Sequence, residues 1–359
     1  MGLLQNFRDK KKSNSAYIKG SSNYAYLATR VRAMKSKLLP KETYPRLMNM
    51  EIDEIIRFIE ESEYKQDVDE LARDYEGVDL IEHALNRNLA VTFTKLINIS
   101  EGESNYLVRE YLKKYDIWNI KSILRGKYCN ASVHEIKEVL VSAGQFSYTF
   151  LSELAAKESY GDVISAFEDT KYFQLLSEYD GTRLYVTENK LDKMYYADLL
   201  DAMRDPRAKE RKLFVKFIRT EIDVKNLNTL FRLKKAGADQ DIIMDLVIDG
   251  GLELGMDDIK KLLPLSFNEF IQSLDKYSIW EDISETVKPS MESLISVETH
   301  LVKHSLKSAA RLSHAYPLSI VPIMDYIVNK ENEVNNLRII TRGKAVNLSD
   351  AIIKDQLVL

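Results

Sequence analysis

The groups best suited to chemistry in this chain are five histidines, a single cysteine and a recurring arginine. His300 and His304 stand four residues apart, so one helix face would carry both imidazoles, the spacing at which two nitrogens meet a metal. No Glu follows His300, so the zinc-protease pattern is absent, and the pair is read as surface or interface histidines. His83, His134 and His314 are the others. Cys129 has no base near it in sequence and is read as a small packed apolar group. A lone cysteine excludes a disulfide framework and fits a reducing cytoplasm. Gly126-Lys127 and Gly343-Lys344 look like the end of a phosphate loop, but they lack the earlier Gly and the hydroxyl residue after the Lys. The expectation is therefore no catalytic residue, no cofactor and no metal.

The arginines recur in a fixed setting. Arg125, Arg232 and Arg342 each follow an Asn by six residues: Asn119, Asn226 and Asn336. Lys127, Lys234 and Lys344 come two residues later. An acid stands three residues before each Asn: Asp116, Asp223 and Glu333. The apolar positions agree as well, with Ile120, Leu227 and Leu337 in one column and Ile123, Leu230 and Ile340 in another. Further on, Ser132, Asp239 and Ser349 align, as do Ile136, Ile243 and Ile353. Upstream, Glu82, Glu188 and Glu298 lie 37 or 38 residues before their Asn, each with a Leu three residues on. The copies are 107 and 110 residues apart, so one unit is written three times. Three arginines could line an anion site. A structural pin repeated in each copy is the preferred reading, because the apolar and capping positions travel with the polar ones. The expected pins are Asn119, Arg125, Asn226, Arg232, Asn336, Arg342, Glu82, Glu188 and Glu298, each Glu a candidate partner for a neighbouring Arg.

The elements that must hold these residues follow from periodicity. At 100° per residue, Ile117, Ile120, Ile123 and Leu124 share a helix face with Asn119 at its edge. An amide there can tie a neighbouring backbone while its stem stays in the core. Arg125 and Lys127 fall at the helix end, where positive charge suits the dipole. Gly126 and Gly343 are expected to end their helices in a left-handed conformation. Ser132 to Glu135 is a capping box, and Asp239 and Ser349 are expected to cap likewise, for about 1 kcal/mol each. Tyr24 to Leu39 reads as a helix stopped by Pro40. Arg183 to Thr187 is the one convincing β run. The fold class expected is all-α. A basic tail, 1–22, precedes three helical subdomains, 23–146, 147–256 and 257–359. Each Asn helix is more apolar than its own copy can cover, as in repeats that bury faces against neighbours.

Composition narrows the class. Apolar residues at 45 % and charged residues at 30 % suit a soluble folded chain. Only 13 Gly and 7 Pro favour long helices. A net charge of −4 gives no broad case for nucleic acid. The basic stretch Arg30, Arg32, Lys35, Lys37 is read as a solvated helix face. The N-terminus lacks the apolar core of a secretory signal. The longest uncharged run, Leu312 to Met324, is shorter than the roughly 18 residues of a spanning helix and is broken by Pro317 and Pro322.

Taken together, Tyr24-Ala25-Tyr26, Arg30-Val31-Arg32-Ala33, Lys35-Ser36-Lys37-Leu38-Leu39, Tyr115-Asp116-Ile117-Trp118-Asn119-Ile120 and Glu333-Val334-Asn335-Asn336-Leu337 closely resemble the C-subunit family of archaeal A-type ATP synthases, related to the d subunit of the eukaryotic V-ATPase. The resemblance covers Ser22 to Leu359. Members of the family start near the counterpart of Asn23, so residues 1–21 depart from the pattern. The resemblance implies a closed helical funnel with pseudo-threefold symmetry and no reaction of its own. It implies a peripheral, non-spanning position on the cytoplasmic face of the cell membrane. The implied partners are the membrane proteolipid ring and the central-stalk subunits D and F, between which this protein passes torque. A free helical-repeat scaffold binding a peptide or nucleic acid is the alternative.

Overall fold

The computed structural model describes residues 22–179, 183–203, 209–288, 291 and 293–359. The basic tail, apart from Ser22, lies outside them. All regular structure among the described residues is helical. The chain opens with α1 (Tyr24–Lys35), α2 (Thr43–Met48) and α3 (Ile52–Glu60). The first Glu segment is α4 (Gly77–Ile99). The first Asn segment is α5 (Gly102–Leu112) and α6 (Lys114–Tyr128), followed by α7 (Val133–Glu138) and α8 (Tyr148–Ala156). In the second copy α9 (Leu184–Ala202) carries Glu188, an unbroken α10 (Lys209–Lys235) carries Asn226, and α11 (Gln240–Leu246) and α12 (Met256–Leu262) follow. The third copy repeats the series as α13 (Ile295–Ala315), α14 (Val321–Ala345) and α15 (Asp350–Gln356).

These helices gather into two compact units. The first holds the chain up to Leu27 together with Ile59–Leu199. Its core is the buried stripe Ile81, Leu85, Phe93 and Leu96 of α4, with Leu107 and Tyr111 of α5 and Ile120 and Leu124 of α6. Ile81, Leu85 and Leu96 fall at helical spacing, so α4 turns an apolar stripe inward, with Asn88 buried on the same side. The second unit holds Ala28–Phe58 together with Leu200–Leu359. There Leu227, Leu230 and Phe231 of α10 meet Ile243 of α11, Phe270 and Leu301. Phe231 and Phe270 pack edge to face with ring centroids 5.1 Å apart.

Several local expectations need correction. The segment Arg183 to Thr187 is no strand, since α9 begins at Leu184. Leu184, Thr187 and Leu191 are buried at helical spacing, and that burial outweighs the β preference of Tyr, Val and Thr. The first helix ends at Lys35 rather than Leu39. Lys37 and Leu38 then bond back three residues, to Met34 and Lys35.

Gly126 and Gly343 do not end their helices. Both lie inside α6 and α14, where a Cβ would overlap the side chain of Ile136 or Ile353. The left-handed residue comes four positions later in every copy, at Asn130 (φ 53°), Gly237 (φ 68°) and Asn347 (φ 55°). The next N–H in each case reaches back to the carbonyl of Gly126, Leu233 or Gly343, at 2.8, 2.9 and 2.8 Å. That is a Schellman ending made three times, and Asn and Gly are the residues that tolerate its positive φ. Ser132 forms its capping box with Glu135. Asp239 and Ser349 hold the same position with extended backbone, but their side chains accept no capping bond.

Candidate functional site

The triplicated Asn is a two-handed backbone clamp. Asn119 donates its amide N–H to the Val141 carbonyl and accepts the Val141 N–H, both at 2.8 Å. Asn226 does the same to Ile248, at 2.7 and 2.8 Å. Asn336 does it to Val358, at 2.9 and 3.0 Å. In all three the partner lies 22 residues on, and the Asn side chain is buried. A primary amide presents donor and acceptor side by side, so it can stand in for one rung of a strand pair. Each clamp fastens the chain that leaves α7, α11 or α15 back onto its Asn helix.

The acid three residues earlier works beside it. Asp116 Oδ1 accepts the N–H groups of Gln145 (2.7 Å) and Phe146 (3.2 Å). Asp223 accepts those of Leu252, Glu253 and Leu254 at 3.1, 2.8 and 3.1 Å. Gly144 and Gly251 sit next to these carboxylates, and a Cβ on either would collide with the acid. Sequence reasoning missed both glycines, although each lies at the same offset from its acid. Burial drives the Asp116 carboxyl up to about 7, against the lowering effect of its two backbone donors. Burial raises Asp223 too, with three donors opposing it.

Between copies the contacts are charged. Arg125 grips the two carboxylate oxygens of Glu188 with Nε and Nη2, the second at 2.8 Å. Arg232 grips Glu298 in the same two-pronged way at 2.6 and 2.9 Å. Each joint runs from an Asn helix to the Glu helix of the following copy. Lys127 and Lys234 donate to carbonyls at the ends of α8 and α12, Ala155 (2.7 Å) and Leu263 (2.9 Å). Arg342 stands in the last turn of α14, and Glu82 is buried in α4. The Arg232 side chain is 60 % exposed, so its joint contributes little to stability. A double-mutant cycle with Arg232→Ala and Glu298→Ala is expected to give a coupling of about 0.5–1 kcal/mol that shrinks in 1 M salt.

In the second unit, α14 also binds the start of the chain. The Glu333 carboxylate accepts the Leu39 N–H at 2.5 Å and pairs with the buried Lys330 at 2.7 Å. Lys35 pairs with Asp325 at 2.7 Å, and Arg32 donates to the Pro317 carbonyl at 2.9 Å. The basic face of α1 is thus partly engaged rather than simply solvated. Burial, and then Glu333, hold the Tyr44 phenol well above its ordinary range.

His300 and His304 do not share a ligand position. His300 Nδ1 bonds the Ser296 carbonyl at 2.8 Å, while His304, which is buried, holds Asp282 at 2.7 Å. Cys129 is exposed at the end of α6, not packed. The geometry contains repeated fasteners and joints but leaves open the assembly they serve.

Comparison with known proteins closes that gap. The model of the ATP synthase (C/AC39) subunit family matches residues 27–356. The C subunit of the A-type ATP synthase of Methanococcoides burtonii is 66 % identical over 359 residues, covering all of both chains. The chain belongs to the ATP synthase C-subunit family. The C subunit of Methanosarcina mazei is 58 % identical over 362 residues, again covering both chains in full. That of Archaeoglobus fulgidus is 39 % identical over 336 residues, covering 94 % of this chain and 96 % of its own. The two end-to-end alignments include residues 1–22, so the basic tail is no departure from those C subunits. As a C subunit the chain is non-catalytic, not an enzyme, and the free-scaffold reading falls.

Proposed function

We propose that this C subunit is the socket of a rotary machine. It would seat the foot of the central stalk, subunits D and F, on the membrane proteolipid ring and carry torque between them during ion-driven ATP synthesis. The observation that carries this reading is the full-length match to A-type ATP synthase C subunits. We further propose that the copies 23–146, 147–256 and 257–359 close into a funnel with pseudo-threefold symmetry. Two features support closure. The Arg-to-next-Glu joint is directional and repeats from copy one to two and from copy two to three. Residues Ala28–Phe58 cluster with Leu200–Leu359, which contains the whole third copy, instead of with the rest of the first. We take the nine polar residues of the repeat as pins of this frame, with no substrate to bind. Among the described residues no helix is long and apolar enough to cross a membrane, which suits a peripheral seat on the cytoplasmic face.

The test is reconstitution. The purified chain mixed with a folded D–F pair is expected to run as one stoichiometric complex by native mass spectrometry. Pull-down from solubilised membranes is expected to recover the proteolipid. Failure of both, or an elongated open particle by small-angle scattering, would overturn the socket.

A further inference from the structure

The sequence places no metal in this chain, yet three ligand groups converge in the first unit. His83 projects from α4, and His134 and Glu138 stand one turn apart on α7. One ligand atom from each lies within 4.8 Å of the other two. His134 Nδ1 is 3.6 Å from Glu138 Oε1, and the rings of His83 and His134 meet edge-on with centroids 5.9 Å apart. No linear motif announces this, because His83 and His134 are 51 residues apart.

The deciding observation is at His83. Its residue is only 8 % exposed, and its buried Nε2 has no hydrogen-bond partner. A buried ring nitrogen left unpaired is costly, and a bound cation satisfies it as an ordered water would. The surroundings are fixed as a ligand set needs. Tyr75 stacks on the His83 ring at 3.9 Å, orienting it. Asn86 of α4 donates to the Glu138 carbonyl, tying α7 to α4 next to the ligands. His83 and Tyr75 also line a cleft of about 740 Å³, which gives an ion a way in.

We propose that His83, His134 and Glu138 form a site for one divalent cation of the zinc class, with water in the fourth position, clipping α7 to α4. Two imidazoles and a carboxylate are a zinc-type donor set. Bonds of about 2.0–2.1 Å put tetrahedral ligand atoms roughly 3.4 Å apart. The exposed His134 side chain closes the remaining distance by a small swing.

The test uses the full-length chain stripped with a chelator. Calorimetry with Zn²⁺ alone is expected to show one equivalent bound, and Co²⁺ to give the intense visible band of a tetrahedral site. His134→Ala, at an exposed position that leaves the fold intact by thermal melt, is expected to weaken Zn²⁺ at least about tenfold, since even outer-shell losses cost 10–100-fold. Glu138→Gln is expected to act in the same direction. Zn²⁺ is expected to raise the melting temperature of the parent chain but not of His134→Ala. No stoichiometric binding, or undiminished binding in His134→Ala, would mean that these three residues hold no ion.

Discussion

Replacing Asn226 with Leu is expected to lower the unfolding free energy of the second unit by about 1–5 kcal/mol. Leucine has the same number of side-chain heavy atoms and is the bulkier of the two, so no cavity opens, and the extra apolar surface brings back at most about 1 kcal/mol. What decides the sign is the backbone of Ile248, whose N–H and C=O both bond to Asn226 in a buried setting. Leucine orphans both, and each buried orphan costs about 1–3 kcal/mol. Urea unfolding followed by helical signal reads the loss directly. Asn226→Asp sharpens the measurement, because it keeps the acceptor but loses the donor and adds a buried charge. Asn119→Leu and Asn336→Leu are expected to match within a factor of two, since their geometry repeats to within 0.2 Å. A loss below about 1 kcal/mol would mean that water or a shifted backbone replaces the amide, and the clamp would then be incidental. Against this, the exposed Arg232–Glu298 joint is a small term. On these expectations each buried amide contributes more to the stability of its copy than the exposed Arg232–Glu298 joint does.

That contrast explains what the sequence could reveal. Asn119 at the edge of an apolar face is visible because helix geometry is local and because the same pattern recurs twice more. Its partner is not visible, because a backbone carbonyl 22 residues away has no side-chain signature. The glycines mislead for a related reason. Gly126 sits where a helix ending is due, but its missing Cβ makes room for Ile136 across the turn, a contact between positions ten residues apart. The real ending residue alternates Asn130, Gly237, Asn347, which is a left-handed signature once the copies are stacked. Arg183 to Thr187 fails differently, since local preference points to a strand and the buried face of α9 overrules it. Nothing in periodicity names a ring or a shaft. The ring enters with family membership, and the shaft only with the proposal above.

Asp116 is expected to make the first unit less stable as the pH rises from about 4 to about 7. An ordinary aspartate ionises near 3.9 in the unfolded chain, while in the fold burial holds Asp116 up to about 7. Below pH 4 both states keep the proton and there is no difference. Between the two values the unfolded chain sheds its proton and the folded chain retains it, so unfolding gains about 1.4 kcal/mol per pH unit. Above pH 7 the full effect, roughly 4 kcal/mol, is in place and stays constant. Asp116→Asn cannot ionise and still offers Oδ1 to Gln145 and Phe146. Its amide N–H₂ replaces Oδ2, which already lacks a partner, so the variant carries an unpaired donor in exchange for an unpaired acceptor. That penalty does not change with pH and the ionisation term does, so the slope is the quantity to measure. The difference between variant and parent is expected to move by about 2.5 kcal/mol in favour of the variant between pH 5 and pH 8. Parallel profiles would show that Asp116 ionises as if in water, and that its backbone donors outweigh its burial. Asp223 is shifted in the same direction in the second unit. The slope left in Asp116→Asn is therefore expected to flatten further in the double variant with Asp223→Asn, one increment per copy.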